Sequence, residues 1–368
     1  MVDTYIVAEI GTAHGGDLAL AQELVHAARD AGADCAKFQY VIADEIVHPA
    51  TGAVALPGGP TALYERFKAL EQPQSFYEQM LEICRSADID FLCTPFGIAS
   101  ARALRGIGPA AVKIASPELN HTELLQEVAG YGLPLIISSG VSRLCDIEYA
   151  LSITGRTQVT LLHCVTAYPA PEEEYNLRLV PGLRRILGIP VGISDHSEHP
   201  ELVPGLAAAF GAAVIEKHFT LSRDGTGLDD PIAMDPTMFT RMAATIRRVD
   251  AIRSISPDDG TRSIIREFER EYGASRVEAV LGTGVKHLSA REARSYRTTR
   301  RSLLAVQDLP TGHVLRPQDI APLRSETLKA GLEPCFAATI VGARLQRPMS
   351  SGEGLTWEHL LVQEQPLR

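Results

Sequence analysis

Residues 7–40 read VAEIGTAHGGDLALAQELVHAARDAGADCAKFQY. An apolar run ends in Glu9, the stretch 18–33 places apolar residues at spacings of three and four, and a second apolar run, DCAKFQY, follows. This spacing predicts strand, amphipathic helix, strand. The unit recurs. Runs of the same kind stand at 5–10 (YIVAEI), 34–40 (DCAKFQY), 89–96 (IDFLCTPF), 110–116 (AAVKIAS), 133–140 (LPLIISSG), 158–164 (QVTLLHC), 189–196 (IPVGISDH) and 212–220 (AAVIEKHFT). Strands alternating with helices and apolar on both faces argue a parallel sheet with right-handed crossovers. Eight such units in about 250 residues fit an α/β (β/α)8 TIM barrel better than an open doubly wound sheet.

The grammar changes past residue 254. The stretch 256–278, SPDDGTRSIIREFEREYGASRVE, is charged, and from about residue 300 short strands and turns take over in RSLLAVQDLPTGHVLRPQDI and GARLQRPMSSGEGLTWEHL. The chain therefore divides into a barrel catalytic domain over 1–254, a connector with a helix over 255–297, and a small β-rich domain over 298–368. Residues 43–66, rich in Gly, Pro and Ala, exceed an ordinary strand-to-helix connection and are expected to fold over the barrel mouth.

Bulk properties narrow the function. A net charge of -10 and a pI near 5.6 offer no basic face to nucleic acid or anionic lipid, so any bound anion must be met by a few placed cations. No apolar run approaches the roughly 18 residues of a membrane span, and residues at the start lack the charged-then-apolar pattern of an export signal. A cytoplasmic protein is expected. Six scattered cysteines with no CxxC pair predict buried free thiols.

A barrel of this kind builds its active site at the strands' C-terminal ends. There the polar residues gather: Glu9, Lys37 and Gln39, Thr94, Lys113 with Ser116 and Glu118, Ser138 and Ser139, His163, Ser194 with Asp195 and His196, and Glu216, Lys217 and His218. Each alone has a bland reading as an ion-paired or solvated strand end, but a core would want Val or Leu at these positions. Lysines on different strands converging with hydroxyls suit a phosphate or carboxylate ligand; a Schiff-base lysine is the rival. His196 and His218 end consecutive strands, at a separation one divalent ion could bridge. Core histidines bonded to backbone are the alternative, for these two and for His163.

Seven stretches together resemble the sialic acid synthases, the N-acetylneuraminate synthase family that includes legionaminate and pseudaminate synthases. They are AEIGTAHGG through FQY, FLCTPF, VKIASPE, LLHCVTAYPAP, VGISDHS, AAVIEKHFTLSRDGTGLDDPIAMDP and RRSLLAVQDLPTGHVL. The resemblance implies a C-terminal antifreeze-like (SAF) domain and a domain-swapped homodimer. It also implies condensation of phosphoenolpyruvate with the open-chain aldehyde of an N-acetylated amino sugar, such as N-acetylmannosamine, to a nonulosonic acid plus phosphate. Carried over residue by residue, it assigns a divalent metal (Mn2+ first, Mg2+ or Co2+ otherwise) to His196 and His218. It assigns phosphoenolpyruvate to Lys37, Thr94, Lys113, Ser116, Thr166 and Ser194, and the sugar to Gln39, Glu118, Tyr168 and Asp229. Glu9 would orient or deprotonate the water that captures an oxocarbenium-like centre. Arg324 would reach the acetamido group across the dimer, though Ser325 replaces the family's proline.

Other departures lie near the sugar: Ala13 and Gly15 flank His14, and Leu228 stands between Gly227 and Asp229 where the family commonly has Gly-Pro-Asp. An acceptor other than N-acetylmannosamine is therefore expected. The competing readings are a phosphoenolpyruvate aldose synthase making eight-carbon or seven-carbon keto acids, and a non-catalytic carbohydrate-binding descendant.

Overall fold

Eight parallel strands close on themselves in sequence order in the computed structural model, which describes residues 3–56, 59–225 and 227–361. The ends of the expected outer domains, at 1–2 and 362–368, lie outside the described residues, as do residues 57–58 and Thr226. The strands are β1 Tyr5–Gly11, β2 Cys35–Tyr40, β3 Asp90–Pro95, β4 Val112–Ile114, β5 Leu135–Ser138, β6 Val159–Cys164, β7 Val191–Asp195 and β8 Val214–His218. They coincide with the eight apolar runs, and β1 pairs with both β2 and β8 to close the ring.

Helices alternate with the strands: α1 Leu18–Asp30, α2 Gln74–Ser86, α3 Ile98–Ile107, α4 Thr122–Ala129, α5 Leu144–Thr154, α6 Leu179–Leu187, α7 Leu202–Ala209 and α8 Pro236–Ile255. Helix α1 starts where Asp17 accepts from the Ala19 and Leu20 N–H groups, satisfying two donors that no helical carbonyl reaches. It buries Ala21, Leu24, Val25 and Ala28 against the barrel, the face set by the three-and-four spacing.

Two elements elaborate the barrel. Between β2 and α2, the long segment forms short turns, a hairpin of Ala53–Leu56 and Gly59–Ala62, and a helix over Leu63–Leu70. Its Ile46, Val47, Leu63, Phe67 and Leu70 cluster with Phe96 over the barrel mouth. After α8, residues 255–297 carry three helices, α9 Pro257–Tyr272, α10 Ala274–Leu281 and α11 Ala290–Ser295. Ile264, Phe268, Val277, Val280 and Leu281 belong to the same buried cluster as the barrel helices, so this segment thickens the barrel wall rather than merely linking. Gly205 of α7 is where Phe268 packs: a Cβ there would lie 2.6 Å from the ring.

The C-terminal unit pairs β9 Arg301–Ala305 antiparallel with β10 Ile320–Arg324 around a small core that includes Leu303, Leu309, Leu315 and Leu355. No helix among the described residues is long and apolar enough to cross a membrane. Cys35, Cys84, Cys93 and Cys164 are buried free thiols as expected, whereas Cys145 is exposed and Cys335 half-buried; both lie outside the barrel strands, where no core encloses them.

Candidate active site

Register brings the polar strand ends to one level. Glu9 pairs with Lys37 on one side and His218 on the other, Gln39 pairs with Thr94, and Ser194 with Glu216. A single cavity at the mouth is lined by Glu9, Lys37, Gln39, Thr94, Lys113, Ser116, Tyr168, Ser194, His196, His218, Asp229 and Arg324, and also by Ser138 and Glu216. Twelve of the fourteen residues assigned from sequence thus share one space.

The period of two along a strand sorts the rest. On β8, Glu216 and His218 line the cavity, while Lys217 turns the other way. Its ammonium is buried 2.8 Å from Asp195 and also donates to the Ser197 carbonyl. Lys217 and Asp195 therefore form a structural pair behind the barrel wall. His163 is likewise outside the cavity, bonded through Nε2 to the Tyr175 carbonyl and held near pKa 3 by burial, with the Lys286 charge adding to the effect. His14 is buried below the mouth against Phe76, with ring centroids 5.0 Å apart.

The anion end is built from two lysines and two carboxylates. Lys37 Nζ lies 2.8 Å from Glu9 Oε2 and 3.5 Å from Glu216 Oε1. Burial alone would depress this ammonium, but the Glu216 and Glu9 charges outweigh burial and raise its pKa. Lys113 donates to Ser138 Oγ at 2.7 Å and sits 3.9 Å from Glu216 Oε2. Burial lowers its pKa, Glu216 opposes that and Lys37 adds to it. Burial would raise the Glu216 carboxyl; Lys113 and Lys37 overcome it and pull the pKa down. Ser194 donates to Glu216 at 3.0 Å, and Thr94 Oγ1 is buried with no hydrogen-bond partner among the described residues. Gln39 Nε2 donates to Glu9 Oε1 at 2.7 Å. The chain passes this amide through Gly11 at φ +58°, where a Cβ would lie 3.1 Å from it, so glycine meets both the backbone and the space requirement.

The histidines face each other across the mouth, ring centroids 5.3 Å apart, with Tyr168 4.3 Å from His196. Burial lowers both pKa values and keeps both imidazoles neutral. His196 Nδ1 is bonded to the Val165 carbonyl at 2.8 Å, which places the hydrogen on Nδ1 and the lone pair on Nε2. Asp229 Oδ2 stands 3.6 Å from His218 Nδ1. Two neutral imidazoles, one fixed by a carbonyl on its far nitrogen, fit a borderline divalent ion that keeps open positions. Among the described residues no cluster of three or more His, Cys, Asp or Glu is arranged for a metal.

Two of the fourteen stand outside the cavity lining. Glu118, expected at the sugar, is fully buried outside the cavity lining. Its Oε1 accepts from Arg324 Nη2 at 2.7 Å and Arg301 Nη2 at 2.8 Å, because a buried carboxylate needs its charge compensated. Thr166, expected at phosphoenolpyruvate, also stands outside the lining: its N–H donates to Glu292 and its hydroxyl packs where a Cβ on Gly140 would fall. Arg324 is in the cavity, but of its own chain, held by Glu118 and by its backbone N–H on the Ile46 carbonyl.

Strand-end polarity could not have found the apolar half of the cavity. Leu63 and Phe67 come from the mouth-covering segment, Phe96 from the loop after β3, and Leu228 from the loop after β8. Ser138 and Glu216 did carry a signal, as polar residues interrupting apolar strands.

Comparison with known proteins places this architecture. Residues 24–255 match the NeuB family and residues 300–361 match the SAF domain. The N,N'-diacetyllegionaminic acid synthase of Legionella pneumophila is 35% identical, over 97% of this chain and 94% of the relative. The crystal structure of the spore coat polysaccharide biosynthesis protein SpsE from Bacillus subtilis superposes with a TM-score of 0.81 at 31% identity, covering 99% of this chain and 96% of that one. The N-acetylneuraminic acid synthetase of Leptospira borgpetersenii, solved with citrate, gives a TM-score of 0.62 at 29% identity, covering 80% and 90%.

Proposed function

This chain belongs to the NeuB family and carries a C-terminal SAF domain, and we propose that it joins phosphoenolpyruvate to the open-chain aldehyde of an N-acylated amino sugar. The products are a nine-carbon 2-keto acid and phosphate. The observation that carries this reading is the convergence of Lys37, Lys113, Ser116, Ser194 and Thr94 on the same cavity as the His196–His218 pair. A sugar-binding module would have no use for both groups together.

In this reading the lysines and hydroxyls hold the phosphate and carboxylate of phosphoenolpyruvate. C3 attacks the aldehyde carbon, whose oxygen takes a proton, and positive charge develops at C2 between the Glu9 and Glu216 carboxylates. Water adds at C2 as Glu9 accepts its proton, which balances the one taken up at the aldehyde oxygen; the bridging C2–O bond to phosphate then breaks, and phosphate leaves with the hydrogen of the new C2 hydroxyl to give the ketone. Gln39 fixes Glu9 by donating to its other oxygen. A divalent ion, manganese first, would be held by His196 and His218 and would polarise the aldehyde oxygen as a Lewis acid.

The other half of the cavity supports a reading of the acceptor. Leu63, Phe67, Phe96 and Leu228 present apolar surface, with Arg324 and Asp229 as polar points. Such a wall favours acyl methyls and a 6-deoxy carbon over free hydroxyls. The acceptor is thus a 6-deoxy hexose with two acylamino groups, in keeping with the N,N'-diacetyllegionaminic acid synthase relative. In this reading the reaction runs in the cytoplasm, in the domain-swapped homodimer that the family resemblance implies.

The test is phosphate release from phosphoenolpyruvate with Mn2+ and a panel of aldoses. Release with diacylamino hexoses supports the reading. Release only with arabinose 5-phosphate or erythrose 4-phosphate would replace it by the eight-carbon or seven-carbon synthase, and no release would remove the enzyme.

A further inference from the structure

Behind the anion end of the cavity lies a carboxylate that neither the barrel nor the SAF domain supplies. Glu292, on α11, is 1% exposed. Its Oε2 accepts from the Ser289 N–H at 3.1 Å, and Ser289 Oγ accepts from the Glu292 N–H at 3.2 Å, the reciprocal cap of a helix start. That cap orients the side chain and leaves Oε1 for the barrel. Oε1 accepts from two N–H groups on different loops, Val141 at 2.7 Å after β5 and Thr166 at 3.0 Å after β6.

Both bonds lead to groups of the cavity. The peptide whose N–H belongs to Thr166 has its carbonyl on Val165, and that carbonyl holds His196 Nδ1 at 2.8 Å. Fixing this peptide plane from behind fixes the direction in which its oxygen meets the imidazole. On the other loop, Gly140 donates to Ser116 Oγ at 3.0 Å, and the Ser116 hydroxyl is in turn hydrogen-bonded to the Cys164 side chain, so the two neighbours fix its direction at the cavity lining. The next residue, Val141, holds φ at +42°, a left-handed conformation that a β-branched side chain rarely adopts. A backbone in that state persists only where its surroundings over-determine it, and the Glu292 bond to the Val141 N–H does so. The Gly140 position itself has no slack: a Cβ would lie 2.0 Å from Thr166 Oγ1 and 2.9 Å from Ser116 Oγ.

We infer that Glu292 is a positioning residue for catalysis, which through the Val165–Thr166 peptide sets His196 and through Val141 sets the Ser116 hydroxyl at the phosphoenolpyruvate end. This rests on the reaction proposed above. It makes the segment between barrel and SAF domain part of the active site's support.

The test compares Glu292→Gln, which keeps an acceptor oxygen at the same reach, with Glu292→Asp, which keeps the charge but is one methylene short. Two readouts are taken: KM for each substrate, and the 15N spectrum of His196 in the substrate-free protein. The Gln variant should stay within threefold of wild type in both KM values. The Asp variant should raise KM for phosphoenolpyruvate at least tenfold, leave the acceptor KM within threefold, and convert His196 from a single Nδ1-protonated tautomer to a mixture. Where the Asp variant fails to fold, Val141→Gly, compatible with the +42° backbone, takes its place with the same expectation for the two KM values; it leaves the Thr166 bond intact, so its His196 spectrum should stay that of wild type. A KM for phosphoenolpyruvate within threefold of wild type, an equal rise in both KM values, or an unchanged His196 spectrum in the Asp variant overturns the inference. A wild type that consumes no phosphoenolpyruvate would count against the proposed reaction instead, and the spectrum would still judge Glu292.

Discussion

Glu9 Oε2 lies 2.8 Å from Lys37 Nζ, and both side chains are almost entirely buried. Parallel register puts the two residues side by side on adjacent strands. The pair sets a carboxylate beside an ammonium in the cavity, where the proposed reaction develops positive charge. Glu9→Gln retains the bond network's size but cannot accept the water's proton. Its kcat should fall by about 10²–10⁴ with KM for phosphoenolpyruvate changed only a few-fold, as measured by phosphate release.

Glu118 and Arg324 separate a structural from a binding role. Glu118 compensates Arg301, whose fully buried guanidinium is pushed down to about pKa 10 by burial despite Glu118, with Arg324 repelling it. Arg301 also donates to the Phe96, Ile46 and Pro322 carbonyls, so this pair fastens the SAF domain to the barrel. Glu118→Ala should cost about 3–5 kcal/mol in denaturant unfolding by leaving buried charge unpaired. Arg324→Ala should leave stability nearly unchanged and raise the acceptor KM tenfold or more.

Stability should fall on the acid side for a reason that can be traced to single residues. Burial holds His14 at about pKa 4, against 6.5 when exposed. The unfolded chain therefore binds a proton that the folded protein refuses, and stability rises with pH across this interval. The His14 contribution is fully present above about pH 6.5 and is lost as pH falls toward 4, on the order of 3 kcal/mol in all. Unfolding free energies of His14→Gln should show a shallower acid decline than wild type between pH 6.5 and 4. Parallel curves would assign the decline to other buried histidines.

The apolar wall should govern acceptor choice without touching the anion end. Leu228→Asn places an amide where the acceptor's methyl groups would lie. The ratio of kcat/KM for a diacylamino 6-deoxy hexose over N-acetylmannosamine should drop about tenfold, the ~1–3 kcal/mol an apolar pocket gives per methyl-sized group. KM for phosphoenolpyruvate should not move.

Glu9, Lys37, Lys113, His196 and His218 were legible because each interrupts an apolar run at the end where a barrel places its chemistry. Alternation along the strand would also have set Lys217 apart from Glu216 and His218. The pairing of Glu118 was not legible, because its counter-charges come from Arg301 and Arg324, more than 180 residues away, and no local pattern announces a pairing of that range. The same holds for Phe67 and Leu63, which reach the cavity only through the fold of the covering segment. Glu292 is intermediate. Ser289 and Glu292 stand at cap spacing in the sequence, but the reach to Val141 and Thr166 exists only once the barrel has closed.

The most direct test uses phosphoenolpyruvate labelled with oxygen-18 in the bridge between C2 and phosphorus, a diacylamino 6-deoxy hexose, and mass analysis of both products. An unlabelled nine-carbon 2-keto acid together with labelled phosphate is the expected result. Label retained in the keto acid, or no nine-carbon acid at all, would contradict it.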